Sequence, residues 1–153
     1  MESISAFFDR NIVVVFFFYG LAFFSMGLAI TLEIGHATDA RMRRALRPLA
    51  VFGLLHGAHE WLEMFELLGV LPGQESMALA WSGIRLAILV WSFLSLAAFG
   101  AYLLAPDENM QRYSLLVPLI LAALWGFGLF IMRHKYPYPE MLDVIDVWTR
   151  YVL

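Results

Sequence analysis

The sequence predicts an all-α integral membrane protein: a four-helix bundle with a short C-terminal interfacial helix, forming a single domain over residues 1–153. Hydrophobic side chains make up 61% of the chain and charged ones 15%, and the mean hydropathy is +0.73, far more apolar than a soluble domain needs. Four apolar runs also recur along it, each long enough to cross a hydrocarbon core of about 30 Å at about 1.5 Å per residue. Covering four such helices in water would take more polar surface than 10 basic and 13 acidic residues supply.

The first run, NIVVVFFFYGLAFFSMGLAITLE at residues 11–33, lacks the basic leader and small-residue cleavage site of a signal peptide, so it is expected to remain in the mature protein. Its Phe16, Phe17, Phe18, Phe23 and Phe24 read as lipid-facing bulk or core. The following segment, HATDARMRRALRP, sets Arg41, Arg43, Arg44 and Arg47 against Asp39, a dense positive cluster that the positive-inside rule places in the cytoplasm, with the N-terminus outside. Glu33 and these arginines are expected to meet one another and anionic lipid at that surface.

The second span covers residues 45–68, with Pro48 near its start, where a missing amide costs little. GVLPGQES then reads as a short external turn carrying Glu75. The third span covers residues 77–104 and ends at the polar hairpin APDENMQR; the fourth covers residues 113–132, with Pro118 in its first turns. Pro137 and Pro139 break the chain before an amphipathic tail at residues 139–153. There Leu142, Ile145 and Trp148 oppose Asp143, Asp146 and Arg150, as in a helix lying in the interface with Trp148 and Tyr151 at headgroup level.

Against this apolar background the stretch FGLLHGAHEWLEMF is anomalous. On a helical wheel His56, Glu60 and Glu63 share a narrow arc, with His59 and Glu66 to one side and Trp61 nearly opposite. His56 falls about 14 Å beyond Arg47, near mid-membrane, and Glu60 and Glu63 climb from there toward the outer surface. Arg85, alone among the lysines and arginines in lying deep within a span, sits about 12 Å from Met77 with Trp81, Ser82 and Ser92 on its face. An arginine facing lipid costs about 3 kcal/mol or more, so Arg85 is expected to face the bundle and pair with Glu60 or Glu63. The predicted ligand site is therefore His56, His59, Glu60, Glu63, Arg85 and Trp81, with Arg133 and His134 at its rim. For any one residue, a register-fixing ion pair or a hydrogen bond from His56 to Ser92 is the plainer account.

Two cofactors are compatible with these residue types. HxxHE puts imidazoles one turn apart, so His56, His59 and Glu60 are the candidate ligands of a metal ion such as Zn²⁺, Cu²⁺ or iron. Haem b needs a second deep histidine, which His36 and His134 near the two surfaces do not supply, although two copies of His56 in a dimer could. A third arrangement is a quinone or small-molecule pocket with Arg85 and His59 at the polar head and Trp81, Trp91 and Trp125 along the apolar part. Gly53 and Gly57 form a GxxxG face for close helix approach, and the scattered methionines form no copper-transport stripe. Cysteine is absent, which excludes thiol chemistry and disulfides, and no phosphate loop, dinucleotide fingerprint, serine triad or nucleic-acid patch occurs. The chain itself is thus expected to be no enzyme.

The runs FFFYGLAFFSMGLAITLE, LAVFGLLHGAHEWLEMF and DVWTRYVL together resemble the N-terminal multi-span membrane sensory region of bacterial sensor histidine kinases and diguanylate cyclases. That resemblance implies a sensory input module in a bacterial inner membrane, dimeric or part of a larger membrane complex, with the catalytic domain attached elsewhere. Kinase and cyclase segments are absent from the sequence. The rival from another class is a small haem b- or quinone-binding subunit of a membrane redox complex, and a structural accessory subunit is the third.

Overall fold

A computed structural model of the protein describes residues 11–73, 77–135 and 138–153. Within these the elements are helices: α1 Ile12–His36, α2 Ala40–Leu67, α3 Ala78–Leu104, α4 Glu108–Tyr113, α5 Leu116–Lys135 and α6 Tyr138–Val152. Among the described residues, three stretches are long and apolar enough to cross a membrane: α1, α3 and Asn109–Lys135, which holds most of α4 and all of α5. The expected prolines of the last link divide: Pro137, like Glu75 of the earlier turn, lies outside the described residues, whereas Pro139 is the second residue of α6.

Capping explains several boundaries. Asp39 accepts a hydrogen bond from Arg41 N at 2.8 Å and so starts α2 earlier than the apolar pattern suggests, placing Pro48 inside the helix. Asp107 accepts from Met110 N at 2.7 Å and turns the expected polar hairpin into the short helix α4. At its other end α2 stops in a Schellman turn, with Val70 N on Phe65 O at 3.2 Å and Gly69 at φ 67°.

Helix α2 is the most charged long helix, and it packs between α1 and α3. Its contact with α1 depends on glycine. A Cβ on Gly53 would lie 2.8 Å from Gly27 N, and one on Gly57 would lie 2.7 Å from Gly20 O, so the two backbones touch where side chains are missing. The GxxxG face of α2 is thus filled by α1 of the same chain. Trp61, opposite the polar stripe, donates to Phe17 O at 3.3 Å and packs on Gly20 and Phe24.

Arg41 ties α2 to α3 at what we call the basic end, donating to Ala105 O and, at 3.4 Å, to Pro106 O where α3 leaves its carbonyls unpaired. Of the four clustered arginines, this one therefore serves a helix C-terminus. Glu66 and the first turn of α3 mark the far end.

The terminal helix packs onto the bundle. It folds back along α5, with the Trp148 ring over Gly128 and Trp125 Nε1 donating to Thr149 Oγ1 at 2.9 Å. Thr149 has no solvent exposure and Ile145 only 3%. Trp125 and Gly128 lie about 10–15 Å back from Lys135, so α6 reaches roughly the middle of α5. Tyr151 stands out, at 87% exposed.

Candidate functional site

Helix periodicity puts His56, His59, Glu60 and Glu63 on the buried side of α2, and the structure encloses them with α1, α3 and α6. His56, 6% exposed, sits among rings: Phe52 stacks at 5.2 Å, Phe23 meets it edge-on at 4.6 Å, and Phe93 and Tyr19 close the sides at 5.6 and 6.2 Å. Phe23, expected to be lipid-facing bulk or core, is thus part of the histidine's enclosure. His56 Nδ1 is 3.3 Å from Ser92 Oγ, and Ser92 spends its single hydroxyl proton on Leu89 O at 2.7 Å. His56 Nδ1 must then be the donor, which leaves Nε2 facing Glu60 Oε1 at 3.6 Å. A proton held by either member makes that approach attractive.

Glu63 is the hub. Its Oε1 lies 3.5 Å from His59 Nε2 and 3.8 Å from Arg150 Nη2, and its Oε2 accepts from Arg85 Nη1 at 3.2 Å. Arg85 also bonds Glu66, and Arg150 Nε holds Asp146 Oδ2 at 3.0 Å. His59 is completely buried, and neither ring nitrogen has a hydrogen-bond partner. Four carboxylates thus face two guanidiniums and two imidazoles in a partly enclosed space.

Of the two acids expected for Arg85, it meets Glu63, and Glu60 faces His56 instead. Side chains on a helix lean toward its N-terminus, and the N-terminus of α3 lies at the far end of the bundle. Arg85 therefore reaches out to Glu63 and Glu66, and Glu60 is left about one turn deeper. Trp81 stands apart from the cluster, donating to Pro72 O at 3.1 Å. Arg133 and His134 are exposed, the latter against Phe130 O at 2.9 Å.

Three further expectations meet the geometry as follows. His56, His59 and Glu60 are neighbours, but among the described residues no three histidines or acids are disposed to hold a metal ion. His56 and His59 are offset along the helix with ring centres 6.2 Å apart, and each faces its own carboxylate. Haem does not fit either, because both nitrogens of His56 face side chains of this chain and its aromatic enclosure bars a second copy of His56. The proposed quinone pocket is dispersed, with Trp91 in a groove toward the basic end, Trp81 on Pro72 and Trp125 on Thr149.

The predicted ligand site left out Arg150, Asp146 and Glu66. The i,i+4 spacing of Asp146 and Arg150 marked a polar face on the tail, but which surface that face would meet depends on the fold-back of α6. No known protein family, curated protein or solved structure matches this chain.

Proposed function

We propose that the chain is a membrane-embedded sensory input module of a bacterial signalling protein, in which the cluster on α2, α3 and α6 binds protons or a small cationic ligand. The observation that carries this reading is the concentration of carboxylates in one partly enclosed cluster: Glu63, Glu66 and Asp146 meet Arg85 and Arg150, and the buried Glu60 faces His56. Ionisable groups away from water are costly and mark functional sites by default. In this reading α2 crosses the membrane with the two apolar helices that flank it, completing a four-span bundle with the arginine-rich end in the cytoplasm of the inner membrane. The catalytic partner in this reading is a kinase or cyclase domain of the signalling assembly.

The mechanism turns on Glu63. As a carboxylate it holds α3 through Arg85 and α6 through Arg150, beside His59 on its own helix. Once neutralised by a proton it loses both attractions, and the balance between docked and released α6 shifts. Two copies of the bundle would relay that shift between paired effector domains.

Hydrogen exchange of α6 across a pH series tests this reading. Protection of residues 145–150 is expected to fall as pH is lowered, and Glu63→Gln should show the loosened state at every pH. Unchanged exchange and unchanged pH dependence in Glu63→Gln would sink the reading. A Soret band from the purified protein would replace it with the redox-subunit alternative.

A further inference from the structure

The carboxylates of α2 become more enclosed with depth. Side-chain exposure falls from 33% at Glu66 to 16% at Glu63 and 5% at Glu60, one helical turn at a time, while Arg150 at the rim keeps 45%. His59 is fully buried beside them, both ring nitrogens without a hydrogen bond and Nε2 aimed at Glu63 Oε1 from 3.5 Å. Toward the basic end this column is closed. Phe52, Phe23 and Phe93 surround His56, and Ser92 accepts its Nδ1 proton. Beyond that enclosure the next ionisable side chains are Glu33 on α1, Tyr102 on α3 and Arg47 on α2, the last about 14 Å away. Proton-binding groups thus enter the bundle from the far end and stop at His56 and Glu60.

That pair has room for one shared proton. With Nδ1 committed to Ser92, the lone pairs of His56 Nε2 and Glu60 Oε1 face each other at 3.6 Å, so a carboxylic acid donates to imidazole or an imidazolium donates to carboxylate. Around it α2 presents His59 and Glu63, α1 the Tyr19 ring at 6.2 Å from His56, and α3 Ser92, with Arg85 nearer the rim. From α6, Arg150 lies within electrostatic reach of both members and Asp146 holds that guanidinium from outside. Arg47 and Glu66 are about 28 Å apart along α2, close to a hydrocarbon thickness of about 30 Å, and Glu60 and His56 lie about 9 and 15 Å in from Glu66. A proton that reaches the pair from the far end therefore crosses about 0.4 of the field across a membrane spanned by α2.

We infer that the cluster is a one-ended proton well, filled from and emptied to the outer face, in which the His56–Glu60 pair takes up its proton through part of the transmembrane potential. The inference rests on the sensory reading for the crossing and orientation of α2. What the site reports is then external proton concentration weighted by membrane potential. A potential negative on the cytoplasmic side draws protons down the well, so the pair fills at a higher external pH in an energised membrane than in a depolarised one.

Sided titration tests it. The full chain is placed in vesicles with its far end toward the external medium, and infrared difference spectra follow the band of the shared proton, a carboxylic-acid carbonyl or an imidazolium ring mode. Loss of that band in Glu60→Gln identifies it, and isotope-labelled glutamate and histidine identify it in the unmodified chain. The band is expected to follow external pH and to ignore lumenal pH. A tenfold potassium gradient, high inside, with a potassium-selective ionophore makes the lumen negative by the equivalent of about one pH unit for a full crossing, so the external midpoint should rise by about 0.4 pH unit and fall as far when the gradient is reversed. A midpoint that tracks lumenal pH, a midpoint that the gradient leaves in place, or the absence of a titrating band from the pair overturns the inference. Hydrogen exchange of α6 in the same vesicles separates the two readings. A gradient-shifted midpoint with no pH response of α6 supports the well and sinks the release of α6, whereas a normal α6 response with a lumen-tracking midpoint sinks the well alone.

Discussion

Arg85 on α3 and Glu63 on α2 meet at 3.2 Å, and the same guanidinium also bonds Glu66, so one arginine pairs with two carboxylates near the far end of the bundle. The contact joins the most charged helix to one of its two apolar neighbours. It also fixes where the cluster opens, since Glu63 and Glu66 lie between the buried His59 and the turn at Gly69.

A double-mutant cycle measures that pairing. Removing one partner of a fully buried pair costs about 3–5 kcal/mol, and partial exposure of Arg85 and Glu66 lowers the expectation for Arg85→Gln to about 2 kcal/mol. In reversible unfolding from mixed micelles, Arg85→Gln with Glu63→Gln should show a coupling of about 1 kcal/mol. Arg85→Gln with Glu60→Gln should be additive within about 0.5 kcal/mol, because the two residues do not pair. A larger coupling to Glu60 than to Glu63 would contradict the arrangement.

The glycines sort into two classes by what surrounds them. Gly53→Ala or Gly57→Ala places a methyl against the backbone of α1, which must move away, and is expected to cost about 1–3 kcal/mol. Gly83→Ala and Gly35→Ala meet nothing within 4 Å and should leave the unfolding midpoint at or slightly above that of the parent chain. If Gly57→Ala is as well tolerated as Gly83→Ala, α1 and α2 are not in backbone contact.

Docking of α6 is tested at Thr149. Its hydroxyl accepts from Trp125 and donates to Ile145 O at 2.8 Å, so Thr149→Val strips the indole N–H of its partner at a site without solvent. The expected cost is about 1–3 kcal/mol, confined to α6. Faster exchange of residues 145–152 and a changed Trp125 emission should accompany it, with the α1 and α2 amides unaffected. Exchange that rises equally throughout the chain would mean that α6 is integral to the bundle instead of docked on it.

Composition and apolar run length were enough to determine the helical class, three apolar helices compatible with a membrane and the buried side of α2, because hydrophobic burial and the helical repeat are local properties of the chain. The same pattern brought His56, His59, Glu60 and Glu63 onto one side, and the cost of a guanidinium in lipid turned Arg85 toward them. Which acid Arg85 would choose was decided only in three dimensions. The answer depends on the register between antiparallel α2 and α3 and on the lean of the side chain toward the N-terminus of α3. The place of Arg150 was likewise set by tertiary structure: its amphipathic helix could equally face a lipid surface, and the Thr149 hydrogen bond to Trp125 and the Trp148 ring over Gly128 are long-range contacts that no local period encodes.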